Sequence, residues 1–272
     1  MTKISGKSVL ITGGASGIGV RMAVEMARRG ARRVIIWDLH PEKASDILYP
    51  EHYPDCGFTF ESVDVTEEFK VQALCSQYTE NGIIPDILVN NAGIIVGKSF
   101  TAHTKAEIKR TLEVNTTAPM LVTHGFLPFM MRKDEFHIVN IASAAAFVGN
   151  PGMSVYVASK WALTGWSDSL RLELKQIHRN FRVTTVNPYY IDTGMFAGVK
   201  SGWLLPLLNP DKVARRIVKA IISNHLVVRM PWLVNFTPAL RGLLPLRVFD
   251  FIAGKLLGVY HTMESFKGRE QS

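Results

Sequence analysis

Tyr156 and Lys160 stand four residues apart in YVASK, the spacing that puts two side chains on one face of a helix. A phenol with an ordinary pKa of about 10 is a poor base at neutral pH, but a neighbouring ammonium stabilises its phenolate and makes it a usable proton acceptor. Tyr-x-x-x-Lys pairs decorate many helices, so this one gains meaning from Ser143, thirteen residues earlier at the end of HIVNIAS. A lone serine there commonly caps a turn. Beside a tyrosine and a lysine, its hydroxyl can orient or polarise a substrate oxygen. The chemistry of the trio is proton exchange with an alcohol or carbonyl oxygen.

A second constellation opens the chain. LITGGASGIG is a strand ending in Gly13, Gly14, Gly17 and Gly19, with a helix beginning at once. Glycines let the backbone turn tightly and approach a pyrophosphate, which then meets the positive end of the helix dipole. Glycine also serves ordinary turns, so position carries the argument: the motif follows the first strand of an alternating chain. Asp38 ends the second strand, 19 residues beyond Gly19. A carboxylate there accepts bonds from an adenosine ribose and repels a 2′-phosphate, which points to NAD rather than NADP. The alternative is that Asp38 only begins the turn DLHPE. Asp64 in SVDVT ends the third strand on the same sheet edge, either to meet the adenine or to start the next helix.

Positioning these residues requires a sheet with helices on both sides. Short β-branched runs (SVLIT, RRVIIWD, FTFESVDV, DILVNNAG, FHIVNIAS, RVTTVNP, LVVRMP) alternate with helical patterns over residues 20–29, 67–81, 104–132, 155–176 and 210–224. That rhythm predicts an α/β fold: a Rossmann-type, doubly wound parallel sheet with helices on both faces, in a single domain. Residues 1–230 form the NAD-binding catalytic domain, with 231–272 as a C-terminal apolar, amphipathic extension. Inside the first, 194–210 has no clear periodicity and is rich in Gly and Pro. Met195, Phe196, Trp203, Leu204 and Leu205 make it an expected apolar substrate lid.

The bulk composition narrows the partners. With 272 residues, 47% apolar and 20% charged, the chain can bury a sizeable core. A net charge of +8 favours anionic partners. The basic residues are scattered, however, and no zinc or RNA-binding signature is present, so nucleic acid is not expected. Eight histidines and two cysteines, Cys56 and Cys75, show no metal-ligand spacing, and no metal is expected. The start, MTKISGKSVLITGG, reads straight into a strand. A cytoplasmic setting is the expectation.

Taken in order, TGGASGIG, Asp38, Asp64, NNAG at Asn90 to Gly93, Asn115 in LEVN, Ser143, YVASK, and Asn187 with Pro188 resemble the short-chain dehydrogenase/reductase family. The resemblance implies that Tyr156 is the acid/base. Lys160 would lower its pKa and bind the nicotinamide ribose, Ser143 would position the substrate oxygen, and Asn115 would support a proton relay. It assigns NAD contacts to Gly13, Ser16, Gly17, Ile18, Gly19, Asp38, Asp64, Val65, Asn91, Ala92, Gly93, Tyr156, Lys160, Pro188 and Thr193. It also implies a homodimer or homotetramer, paired through the helices carrying Asn115 and Tyr156. Much of the family has glycine after the NP proline, where Tyr189 and Tyr190 stand here. PYYIDTGMF, with GVK, LLP and the closing MESFKGR, is similar to a lipid-handling branch that includes retinol, epidermal retinal and lipid-droplet hydroxysteroid dehydrogenases.

The expected activity is hydride transfer between NAD(H) and the hydroxyl or carbonyl carbon of an apolar alcohol, ketone or aldehyde. Retinoids and steroids exemplify the class. The alternatives are a reductase of small polar carbonyl compounds and a non-catalytic NAD-binding scaffold. At the C-terminus, LLPLRVFDFIAGKLLGVYH is too interrupted by charge to span a bilayer. As one helix starting near Pro245, it gathers Val248, Phe249, Ile252, Ala253, Leu256, Leu257, Val259 and Tyr260 on one half of the wheel, with Phe251 on the other. That face either packs on protein or lies against a membrane or lipid droplet as a peripheral contact.

Overall fold

The structure, a computed structural model, describes residues 1–45, 47–202 and 204–268. In chain order the elements are β1 (Ser8–Thr12), α1 (Gly17–Arg28), β2 (Arg33–Asp38), α2 (Glu42–Ser45), β3 (Gly57–Ser62), α3 (Glu68–Glu80), β4 (Ile87–Asn90) and α4 (Lys105–Leu112). Then follow α5 (Ala118–Met130), β5 (Phe136–Ile141), α6 (Ser154–Ile177), β6 (Phe181–Pro188), α7 (Pro210–Ile222), β7 (Val227–Met230), α8 (Thr237–Leu243) and α9 (Leu246–Phe251). The strands form one parallel sheet in the order β3-β2-β1-β4-β5-β6-β7. The expected single-domain, doubly wound architecture is therefore what the chain adopts.

Alternation along the strands builds two cores. Val9, Ile11, Val34 and Ile36 face one side, against α1 and α7. Leu10, Ile35 and Trp37 face the other, with Phe126 of α5 and Val71 of α3. A strand buried on both faces reads as a continuous apolar run, which is why SVLIT and ILVN do. After β3 the chain crosses to the far side of β1 to form β4. The order reverses there, and a crevice opens beyond the carboxyl ends of β1 and β4.

The span 104–132, expected as one helix, is interrupted. Thr104 caps α4 in a reciprocal capping box with Glu107. A π turn at Glu113–Thr117 then separates α4 from α5, and the Ala118 amide donates to the Glu113 carbonyl. Pro119 gives the reason. It has no N–H for the carbonyl of Asn115 four residues back, and its ring would crowd that carbonyl in a regular helix. The wider turn relieves the conflict at Asn115.

The C-terminal span is also not one helix. α8 ends before Pro245, α9 gives way to a π turn at Ile252–Leu256, and Gly258 adopts a left-handed conformation (φ 66°). Val259 and Tyr260 therefore lie in a separate short turn, off the expected wheel. Phe249, Ala253 and Val259 are buried, whereas Val248 and Leu256 are exposed.

His137, on β5, is fully buried between Thr2 Oγ1 (3.0 Å) and Thr184 Oγ1 (2.7 Å). Burial, helped by Arg182, pushes its pKa down to about 3. The unfolded chain, with an ordinary histidine pKa of about 6.5, takes up the proton more readily. This contribution is thus intact above about pH 6.5 and is lost as pH falls from there toward 3, by a few kcal/mol. Thermal melts at a series of pH values should show the wild type losing stability more steeply below pH 6.5 than His137→Asn. Parallel curves would refute the assignment.

Candidate active site

The crevice is floored by glycines whose side chains have no room. A Cβ on Gly13 would sit 2.7 Å from the Ala92 Cα, and one on Gly19 would sit 2.3 Å from the Gly13 carbonyl oxygen. Asn91 holds the floor to β1: its Nδ2 donates to the carbonyls of Thr12 (3.1 Å) and Gly13 (2.7 Å), while Thr12 Oγ1 accepts from the amides of Asn91 and Ala92. Ser16 stands at the N-cap of α1 without using its hydroxyl as a cap. The first amides of a helix lack intrahelical partners, so the turn and α1 together present donors and a positive dipole end to the crevice. Gly17, Ile18 and Thr193 line the same space. Thr193, on the loop after β6, reaches within 3.6 Å of where a Gly17 Cβ would lie.

Asp38 sits at the crevice end of β2. Its two oxygens accept from the amides of Ala15 (2.9 Å) and His40 (3.0 Å), which ties the glycine turn to the strand. Asp64 lies two residues beyond β3. Its Oδ1 accepts from the Thr66 amide and hydroxyl, and its Oδ2 pairs with Arg110 at 2.7 Å. Burial raises this carboxyl, but Arg110 and Thr66 outweigh it and hold the pKa below the usual range. Asp64 thus begins a helix-entry turn and also lines the crevice, as do Val65, Asn91, Ala92 and Gly93.

At the far end of the crevice, four side chains from three segments meet: Asn115 from the π turn, Ser143 from the end of β5, and Tyr156 and Lys160 from α6. Asn115, placed by the π turn, is fully buried. Its Oδ1 accepts from the Ile94 amide (2.8 Å), and its Nδ2 donates to the Ile94 carbonyl (2.9 Å) and Ser159 Oγ (3.0 Å). Lys160 Nζ donates to the Ile141 carbonyl (2.9 Å) and lies 5.8 Å from the Tyr156 ring centroid. A Cβ on Gly93 would stand 3.3 Å from Asn115 Oδ1 and 3.6 Å from Lys160 Nζ, so glycine leaves these two groups uncrowded. Ser143 Oγ accepts from the Ala145 amide (3.1 Å). Its hydroxyl makes a long contact, 3.5 Å, to the Pro188 carbonyl and also interacts with the Tyr156 hydroxyl.

Burial dominates the ionisation here. Lys160 is pushed down to about 8, which leaves it mainly charged at neutral pH. Tyr156 is pushed up to about 12 by burial, the Ser143 hydroxyl pulling it back and Tyr190 adding to the rise. The expectation that Lys160 lowers the phenol does not describe this state. The ammonium sits 5.8 Å from the ring centroid and bonds the Ile141 carbonyl, and burial of the ring outweighs its pull.

The cleft, about 510 Å³, continues past Tyr156 into a half lined by Val148, Met153, Phe196, Leu233, Phe249 and Leu257. Of the expected lid, Met195, Phe196 and Leu205 line the cleft, and Leu204 is partly exposed. Trp203 lies outside the described residues, as does Arg269 of MESFKGR. Tyr190 turns inward, and its hydroxyl meets Asn150 Nδ2 and Thr262 Oγ1, each at 2.9 Å. The closing segment thereby fastens to the loop before α6. Lys267 N donates to the Ala197 carbonyl and Lys200 N to the Thr262 carbonyl, which ties lid to tail.

Sequence reasoning missed Arg110, the Asn150–Tyr190–Thr262 junction, and the wall formed by Phe236, Leu240 and Phe249. Arg110 had a faint signal, lying five residues before Asn115 on the same helix run. The others depend on tertiary contact between distant segments. Among the described residues no group of His, Cys, Asp and Glu could hold a metal ion.

Comparison with known proteins places this geometry. Residues 7–202 match the family model described as short chain dehydrogenase. Epidermal retinol dehydrogenase 2 of Mus musculus is 33% identical over 281 residues, covering 98% of this chain and 87% of that protein. Short-chain dehydrogenase/reductase 3 of Homo sapiens is 33% identical over 270 residues, covering 98% and 88%. Among solved structures, a short-chain dehydrogenase/reductase from Burkholderia phymatum in complex with NAD superposes with a TM-score of 0.78 at 22% identity, over 89% of this chain and 95% of that one. One from Burkholderia cenocepacia in complex with NADP gives 0.77 at 23%, over 92% and 98%. With the family model spanning residues 7–202, from the glycine turn past Tyr156 and Thr193, and these relatives covering nearly the whole chain, the protein belongs to the short-chain dehydrogenase family and is an oxidoreductase.

Proposed function

We propose that the protein oxidises or reduces an apolar alcohol/carbonyl pair of the retinoid or steroid class, using NAD(H). The carrying observation is the meeting of Ser143, Tyr156, Lys160 and Asn115 where a glycine-floored crevice passes into an apolar cleft. Gly13, Ser16, Gly17, Ile18, Gly19, Asp38, Asp64, Val65, Asn91, Ala92, Gly93, Pro188 and Thr193 would hold the dinucleotide. The close backbone packing at Gly13 and Gly19, which leaves no room for a Cβ, holds the turn against α1 so that its free amides suit a pyrophosphate. When bound, the dinucleotide supplies the hydride acceptor or donor.

The chain supplies the proton chemistry. In the oxidising direction Tyr156, once it has given up its own proton, takes the alcohol proton on Oη. In reduction it returns that proton to the carbonyl oxygen, the role its raised pKa already suits. Ser143 Oγ, which sits beside the Tyr156 hydroxyl, donates to the substrate oxygen and fixes it next to the phenol. Lys160 keeps a positive charge near the ring, and Asn115 holds the Ile94 backbone and Ser159 behind it. The apolar half excludes water around the reacting carbon. A small polar carbonyl compound would leave that half unfilled.

Asp38 carries the cofactor preference. The wild type should bind NAD at least about tenfold more tightly than NADP, because the carboxylate repels a 2′-phosphate. Asp38→Ser should narrow the ratio, measured by fluorescence titration of both cofactors. Equal or tighter NADP binding by the wild type would remove the NAD assignment. The substrate class is tested by kcat/KM over alcohols of increasing apolar size: a rise supports the reading, and preference for short polar substrates contradicts it.

A peripheral position on a membrane or lipid droplet, facing the cytoplasm, suits such a substrate, and no described helix is long and apolar enough to cross a membrane. Exposed Leu112 on α4 and Leu172 on α6 favour pairing of two or four copies through these helices.

A further inference from the structure

From Trp232 to Leu256 the chain turns large apolar side chains outward. Trp232, Phe236, Leu243, Leu246, Phe251 and Leu256 are all more than half exposed, Leu243 at 83%. Soluble surfaces scatter single apolar residues; concentration on one short run marks an interaction surface. The inward side of the same run, with Leu233, Phe249, Ile252 and Leu257, is a wall of the cleft. Phe236 and Leu240 belong to both: each is exposed, and each lines the cleft. The apolar lining therefore continues through these two side chains onto the outer surface.

Charge identifies the partner. Arg247 and Lys255 are exposed among the apolar residues. The one acid in the run, Asp250, is exposed and accepts a hydrogen bond from the Tyr260 hydroxyl, leaving the cations in excess. Arg241 lies inward, over the Trp161 ring at 4.6 Å. An apolar ridge studded with exposed cations, on a chain of net charge +8, complements an anionic lipid surface. A second copy fits less well. A two-fold contact sets the same patch against itself, bringing cation toward cation and covering the cleft mouth.

We infer that the outer face of α8, α9 and the following π turn docks on an anionic lipid surface, and that substrate passes from the lipid into the cleft between Phe236 and Leu240. The lipid-derived route rests on the proposed apolar substrate. The docking does not.

The test is co-sedimentation of the full chain with phosphatidylcholine vesicles, with and without phosphatidylserine, in the absence of cofactor and substrate. The wild type should pellet with the anionic vesicles and weakly with the neutral ones. The triple variant Leu243→Glu, Leu246→Glu, Phe251→Glu, whose three positions lie outside the cleft lining, should lose at least about tenfold in partitioning. It should keep the wild-type melting temperature and NAD affinity. Arg247→Glu with Lys255→Glu leaves the apolar residues in place and should abolish the preference for anionic vesicles, so the idea stays testable if the triple variant misfolds. With alcohol embedded in vesicles, KM should rise in both variants while turnover of a short soluble alcohol stays unchanged. Undiminished pelleting of the variants would overturn the docking surface. So would a wild type that ignores vesicles but forms a dimer that the triple variant breaks, which would assign the patch to a second copy. Vesicle binding without any alcohol turnover would instead fail the enzymatic reading and leave the docking intact.

Discussion

Tyr156→Phe is expected to lower turnover about a thousandfold or more, the scale of a positioned general acid/base, while NAD affinity and melting temperature stay near wild type. The ring is buried and meets Phe196 edge-on at 6.3 Å, contacts that phenylalanine keeps. Only the hydroxyl proposed to exchange the proton is removed. Because burial raises the phenol to about 12, the wild-type oxidation rate should climb toward alkaline pH as Tyr156 more readily gives up its proton. The residual rate of the variant should lack that climb. Steady-state rates across pH, with cofactor titration as the folding control, decide the matter. Full activity in the variant would place the proton transfer elsewhere.

The second large effect concerns the crevice floor. Gly19→Ala should cost more than about 2 kcal/mol of stability and weaken NAD binding at least tenfold. The added carbon meets the Gly13 carbonyl oxygen at 2.3 Å, Asn91 Nδ2 at 2.8 Å and the Gly14 Cα at 2.9 Å. Two of these are backbone atoms that no rotamer change can move. Separating the glycine turn from α1 disturbs the donors proposed to face a pyrophosphate. Gly242→Ala, with nothing within 4 Å of the new carbon, is the control and should melt and bind as wild type. NAD affinity unchanged in Gly19→Ala would mean that the cofactor lies elsewhere.

What was legible in the sequence divides along physical lines. Buried parallel strands must be apolar throughout, so SVLIT and ILVN announced the sheet, and the glycine turn followed from its place after β1. Tyr156, Lys160 and Ser143 were legible because helix and strand geometry fixes their spacing. The placement of Asn115 was partly so: Pro119 forbids a regular helix at that point, a signal contained in NTTAP. The ionisation of Tyr156 was not legible, since burial depends on Tyr190 and Phe196 closing over it from a segment without periodicity. Nor was the C-terminal run. A single wheel from Pro245 assumed unbroken helix, whereas the π turn at Ile252–Leu256 and Gly258 re-aim the chain after Phe251, turning Val259 inward and Leu256 outward; within α9, Phe249 is buried and Val248 exposed. The junction of Asn150, Tyr190 and Thr262 joins residues 112 apart, beyond any local pattern.

The central claim is that a hydride leaves the carbinol carbon of an apolar alcohol for NAD while Tyr156 takes the hydroxyl proton. Its most direct measurement uses an apolar secondary or primary alcohol deuterated at the carbinol carbon, incubated with NAD and the purified chain, with mass analysis of the recovered dinucleotide. The account predicts one deuterium on the reduced nicotinamide and an almost complete loss of transfer in Tyr156→Phe. NAD bound by the wild type with no deuterium transferred, across retinoid, steroid and long-chain alcohols, would contradict it and leave a dinucleotide-binding scaffold.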